Sequence, residues 1–197
     1  MSADEIFPAG LEDFWRWLRA NARDAHRAGR GIVVLEGFKL HGSNLPAIGR
    51  LGGLFSTLKL AEMGETFCAG GDEDSLSLDR QCGMDKFVHL CFTDGHPMAF
   101  RLKERKPDAN LIYLRIDRAI LYQPGVMFAT GVGYANYAET VTLAEAVERN
   151  LIDYQALYTW TDWNDPEAQR KRRAAELCEI LIPDFVPPAF IRNLPNG

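Results

Sequence analysis

The chain has 197 residues, 47% of them hydrophobic, which is apolar material enough for one self-supporting core. A net charge of -5 argues against indiscriminate polyanion binding, and no run of about 18 apolar residues marks a membrane span. With an acidic N-terminus, "MSADEIFPAG", in place of the basic-then-apolar pattern of a secretory signal, these features predict one cytoplasmic domain over 1–197 with no membrane partner.

In chain order, Leu11, Phe14, Trp15, Leu18 and Ala22 recur at helical spacing and predict an amphipathic helix over 11–28, an N-terminal extension within 1–30 ended by Gly29 and Gly31. "IVVLEGF" at 32–38 is rich in β-branched and apolar residues and predicts the first strand. A helix follows from near Asn44, with Pro46 in its first turn and the Gly52-Gly53 pair as its stop, and "STLKLAEMG" adds a short one. Residues 64–83 carry Gly, Asp and Ser with little apolar periodicity and predict a long loop, a feature that in a compact domain is functional or disordered. "KFVHLCF" at 86–92 and "NLIYLRI" at 110–116 alternate as strands, with His89 a core or edge residue, while "GVGYANY" at 131–137 predicts a loop. "VTLAEAVER" predicts a helix, "YQALYTW" a strand, and "DPEAQRKRRAAEL" a helix with Asp165 as N-cap and Pro166 at its first position. A short apolar run, Ile180 to Ile182, is closed by Pro183. The order is mixed α+β with no repeat and no linker.

Phosphate-loop, dinucleotide-fingerprint, HExxH and GxSxG motifs are all absent, which removes several large enzyme classes. Cys68, Cys82, Cys91 and Cys178 form no CxxC pair, and the spacing of Cys82, His89 and Cys91 matches no common zinc pattern, so reduced thiols and no metal are expected. Glu179 stands at the helix-to-strand boundary, where a carboxylate must be paired, hydrogen-bonded or partly solvated because desolvation alone costs several kcal/mol. Two readings stand side by side, a functional carboxylate or an ion pair with Arg172 or Arg173. His41, in "KLHGSN", occupies a strand end where ligand groups collect, and a plain turn role fits that position equally. The basic stretches "RLKERK" at 101–106 and "RKRR" at 170–173, the second preceded by Tyr158, Trp160 and Trp163, are either a local groove for nucleic acid or a solvated face.

Three blocks taken together, "LHGSNLPAI", "KFVHLCFTDGHPMAF" and "LYTWTDWNDPEAQRKRRAAELCEILIPDFVPPAFI", resemble the DarT family, toxin ADP-ribosyltransferases that modify single-stranded DNA using NAD; the likeness runs over 38–191. The resemblance implies an ADP-ribosyltransferase-like α+β fold, a split pair of antiparallel sheets with flanking helices and a central NAD cleft. It also implies NAD as co-substrate, single-stranded DNA as target, and an antitoxin partner of the ADP-ribosyl-glycohydrolase type within a toxin-antitoxin or phage-defence system. Carried residue by residue, it makes Glu179 the catalytic glutamate and Arg80 a second catalytic residue, the arginine on the NAD phosphates. Met98 and Phe100 then line the nicotinamide side, and His41 and Asn44 match the family's histidine and "NLP" after the first strand. Arg173 matches an arginine tied to activity and is expected to face the cleft, because consecutive helical residues lie about 100° apart and the basic run cannot share one groove. Trp160 and Trp163 are read as a stacking surface for an unpaired base, with a core role as the alternative. The family's first-strand HxTH pattern is absent: Phe38 and Leu40 stand where His and Thr are expected, a departure that bears on the adenosine side of NAD more than on catalysis. Transfer to RNA or protein, or a non-catalytic nucleotide or nucleic-acid binding module on the same fold, are the rival functions.

Overall fold

The computed structural model describes residues 35–67, 73–93, 96, 103–104, 107, 110–132, 138–158 and 160–194, and of 35–41, 73 and 74 it describes the backbone. The helix expected over 11–28, most of "RLKERK" and most of "GVGYANY" lie outside the described residues.

Strand β1 spans Leu35–His41 and pairs antiparallel with β4, Leu111–Ile116. It runs three residues past the expected end at Phe38, because Lys39, Leu40 and His41 find ladder partners in Tyr113, Ile112 and Leu111. Backbone pairing, not apolar composition, sets that boundary. Helix α1, Leu45–Leu51, carries Pro46 in its first turn and stops at Gly52, whose left-handed φ of 75° lets its N–H reach the Ile48 carbonyl. Strand β2, Leu54–Phe55, pairs with β8, Phe185–Val186, and the Phe55 and Phe185 rings stack 5.2 Å apart. Gly53 is required just before it, since a Cβ there would lie 2.8 Å from the Val186 carbonyl oxygen.

Helix α2, Thr57–Glu62, is capped by Ser56, whose side chain accepts from the Lys59 N–H. The loop expected over 64–83 holds a helix instead, α3, Glu73–Cys82. Ser75, Leu76 and Asp79 are its partly buried positions and Leu78 is exposed, so a one-edge contact leaves little apolar periodicity for the sequence to display.

Strand β3 (Phe87–Cys91), β5 (Met127–Ala129), β6 (Thr140–Thr142) and β7 (Glu179–Pro183) form an antiparallel sheet in the order β3-β7-β5-β6. Helix α4, Leu143–Glu148, starts on Thr142, whose hydroxyl accepts from the Glu145 N–H at 3.1 Å. "YQALYTW", expected as a strand, contains helix α5, Tyr154–Tyr158. Asp153 accepts from the Ala156 N–H at 2.8 Å, and Tyr154, Leu157 and Tyr158, spaced by three and four, turn into the core. A short apolar run does not distinguish strand from helix by periodicity, and here the local cap decides. Helix α6, Pro166–Glu176, begins as expected, with Asp165 accepting from the Glu167 N–H at 2.9 Å.

One face of the four-stranded sheet supplies Val88, Leu90, Phe128, Ile180 and Ile182 to a core shared with Leu114 and Ile116 of β4, Leu157 of α5 and Ala175 of α6. Each fully buried side chain of this size contributes about 1.5–3 kcal/mol. The architecture is α+β, antiparallel sheets flanked by helices. Strand alternation sends Glu179 and Leu181 to the opposite face from that core.

Candidate active site

Glu179 is the first residue of β7, a strand hydrogen-bonded on both sides, and it lies opposite Cys91 of β3 and Ala129 of β5. Both flanking residues are small. The pair Leu181↔His89 lies two steps along the ladder, so His89 stands on the same face, diagonal to Glu179 and within reach of a long side chain. Glu179 is only 4% exposed, and its Oε2 lies 3.0 Å from Nδ1 of His89. His96, also buried, puts Nε2 3.7 Å from the other carboxylate oxygen.

A chain of contacts continues behind His89. Its Nε2 lies 3.1 Å from the Met84 carbonyl oxygen, and the Met84 N–H donates to the Asp79 carbonyl at 2.7 Å. The Asp79 side chain, on the last turns of α3, is half-buried with Oδ1 lacking a hydrogen-bond partner among the described residues. Burial lowers the affinity of His89 for its proton, but the charge and hydrogen bond of Glu179, with the charge of Asp79 and the Met84 carbonyl, outweigh it and bring the pKa up to about 9. Burial also raises Asp79 above the ordinary carboxylate range, against the pull of His89 and with the push of Glu179 and Asp85. Next to Glu179, the Cys178 thiol is pushed up to about 12, by burial first and the glutamate's charge second. It stays protonated near neutrality and is excluded as a nucleophile.

The partner of Glu179 is thus histidine, while Arg172 goes elsewhere. Arg172 is buried, bonds Glu176 through Nε at 2.7 Å, and donates to the Ala156 carbonyl at 2.8 Å and to that of Leu157. Arg173, expected toward the cleft, is exposed and bonds Gln169 at 3.4 Å. A step of one residue turns about 100° around a helix, and the member of the basic run that faces inward is Arg172. Arg80 is exposed in the last turn of α3, one residue from the inward Asp79. Asn44 is the N-cap residue of α1. His41 ends β1, and its side chain, with Met98 and Phe100, lies outside the described residues. Trp160 and Trp163 are surface residues, 82% and 52% exposed, so the core alternative does not apply to them.

Sequence reasoning missed His89, His96 and Asp79. His89 was legible as a strand residue but not as the partner of a glutamate 90 positions away. Asp79 sat in the stretch read as a loop.

Chemically, the centre is a buried carboxylate on a rigid central strand, backed by an imidazole. Such a group suits stabilisation of a developing positive charge. A family model described as ssDNA thymidine ADP-ribosyltransferase, DarT, matches residues 40–194. The chain belongs to the DarT family. Among solved structures, Thermus sp. 2.9 DarT in complex with ADP-ribosylated ssDNA is similar at 16% identity and TM-score 0.59, over 78% of this chain and 77% of that one. Thermus sp. 2.9 DarT in complex with NAD+ is similar at 16% identity and TM-score 0.56, over 79% of this chain and 77% of that one. Thermosipho africanus DarTG in complex with ADP-ribose matches at 17% identity and TM-score 0.60 over 78% of this chain, which spans 41% of the DarTG chain. No curated protein sequence matches. The sheets and flanking helices described above are thus the DarT, ADP-ribosyltransferase-like fold.

Proposed function

We propose that this DarT-family chain transfers ADP-ribose from NAD to thymidine in single-stranded DNA, with Glu179 as the catalytic carboxylate. The observation that carries the reading is Glu179 itself: buried, at the start of the central strand, held by His89, in a chain matched by the DarT model over 40–194. NAD supplies a ribose-nicotinamide bond whose cleavage leaves positive charge on the ribose and releases neutral nicotinamide. Glu179 faces that charge as an anion, and it takes the proton that the acceptor base gives up when its bond to the ribose carbon forms. Fixed orientation on β7 means the carboxylate needs little reorganisation during the reaction.

Around this centre, Arg80 is assigned to the NAD phosphates, for which a planar guanidinium fork is suited. His41, Asn44, Met98 and Phe100 are assigned to the rest of NAD, on the family resemblance. The exposed Trp160 and Trp163 and the exposed Arg173 suit single-stranded DNA, tryptophan by stacking bases and arginine by holding phosphate. The chain is assigned as one ADP-ribosyltransferase-like domain over 1–197, acting as a cytoplasmic toxin whose antitoxin is of the ADP-ribosyl-glycohydrolase type. Among the described residues, no helix is long and apolar enough to cross a membrane.

The test is incubation with NAD and a thymidine-containing single-stranded oligonucleotide, followed by mass measurement of the oligonucleotide. Wild type should add one ADP-ribose, and Glu179→Gln should lower transfer by at least about a hundredfold with little change in NAD affinity. Equal labelling of thymidine-free oligonucleotide, RNA or protein would favour the rival acceptors.

A further inference from the structure

We propose that His89 is a positioning residue for Glu179, holding the carboxylate as a doubly protonated imidazolium, so that loss of the His89 proton sets an alkaline limit on transfer. The inference rests on the reading of Glu179 as the catalytic carboxylate.

Donor and acceptor arithmetic carries the argument. Both ring nitrogens of His89 face oxygen acceptors, Glu179 Oε2 at 3.0 Å and the Met84 carbonyl at 3.1 Å. A neutral imidazole has one N–H, and neither a carbonyl nor an ionised carboxylate can donate. With Glu179 ionised, both contacts are hydrogen bonds only if His89 carries both protons. The surroundings favour that state. Asp79 of α3, whose backbone carbonyl accepts from the Met84 N–H, adds a second carboxyl group that favours the charged ring, while Asp85 before β3 acts on Asp79 and opposes its charge. His96 approaches the other Glu179 oxygen at 3.7 Å, beyond hydrogen-bond length.

Sterics point the same way. The residues opposite Glu179 on the neighbouring strands are Cys91 and Ala129, small enough to let the diagonal His89 ring reach the carboxylate. His89 holds the carboxylate through the 3.0 Å contact, and its own ring is tied at the far end to the Met84 carbonyl. The pKa of about 9 places the loss of this clamp in an accessible range.

The test measures single-turnover transfer from NAD to a single-stranded oligonucleotide between pH 6.5 and 9.5. The proteins compared are wild type, His89→Asn, His89→Leu, Asp79→Asn and Glu179→Gln. Wild-type rate should be about fourfold lower at pH 9.5 than at pH 7.5, following the protonated fraction of His89. His89→Asn keeps a donor near the place of Nδ1 but nothing that titrates there, so it should be slower than wild type at pH 7.5 and flat up to pH 9.5. His89→Leu should lose roughly tenfold or more in rate with NAD affinity retained. Asp79→Asn removes a charge that supports the imidazolium and should move the alkaline limb to lower pH. An unchanged alkaline limb in His89→Asn would overturn the proposal, as would a wild-type rate in His89→Leu beside an inactive Glu179→Gln. If His89→Leu does not fold, the profiles of His89→Asn and Asp79→Asn decide alone. A fully active Glu179→Gln would instead overturn the catalytic assignment on which the proposal rests.

Discussion

Taking the Glu179 side chain out of water costs several kcal/mol unless partners compensate, and His89 at 3.0 Å is one such partner. The same contact links stability to pH. Its pKa rises from an ordinary 6.5 to about 9, so the folded state favours protonated His89. The resulting stability is fully present below about pH 6.5, declines as pH rises, and is lost above about pH 9. Wild type should therefore melt at a lower temperature at pH 9.5 than at pH 6, and His89→Asn, with no imidazole to titrate, should show a smaller difference. Equal shifts in the two proteins would mean that another group carries the pH dependence. Cys178, the chain neighbour of Glu179, takes no part: its Sγ contacts the Ala174 carbonyl at 3.6 Å and remains a thiol.

Helix α6 shows how one turn assigns different work to consecutive residues of like charge. Lys171 pairs with Glu167 at 3.0 Å on the surface, where solvent screens the contact and it adds little to stability. Arg172 instead satisfies the carbonyls of Ala156 and Leu157 near the end of α5, with Glu176 as its counter-charge, and so fastens α5 to α6. Arg172→Ala should cost about 3–5 kcal/mol, because it strands a largely buried carboxylate and two carbonyl acceptors, that of Leu157 buried and that of Ala156 partly so. Arg173→Ala should change stability by no more than about 0.5 kcal/mol, as expected for a surface position. Urea unfolding of the two variants tests the contrast, and similar midpoints would contradict the inward placement of Arg172. Counting along the helix sets the basic residues about 100° apart, and the contact of α6 with α5 decides that Arg172 is the one that packs inward.

At the scale of the molecule, a net charge of -5 must coexist with the polyanionic substrate proposed above. A local surface that includes Trp160, Trp163 and a few cations reconciles the two, with stacking supplying the part of affinity that salt does not screen. Affinity for single-stranded DNA should fall with salt at a slope of about 0.7 per phosphate neutralised, totalling only a few phosphates, and Trp160→Ala should lower affinity without changing that slope. Equilibrium titrations at several salt concentrations would show it, and a steep slope untouched by Trp160→Ala would count against the stacking surface. How this surface relates to Glu179 depends on the fold, and the reach of the sequence is visible in particular residues. The α6 to β7 junction, and with it the place of Glu179, was legible because Asp165 as a cap, Pro166 at the first helical position and an apolar run closed by Pro183 are short-range signals. Family blocks spread along the chain added the activity. Helix α5 was misread because a few apolar residues fit either period until Asp153 caps them, and α3 because a helix with one buried edge hardly differs from a loop in pattern. The partner of Glu179 was decided only by tertiary structure. His89 comes beside it through the β3 to β7 register, which opposes Cys91 to Glu179, and hydrogen bonding between strands so far apart in the chain depends on the packing of the whole sheet.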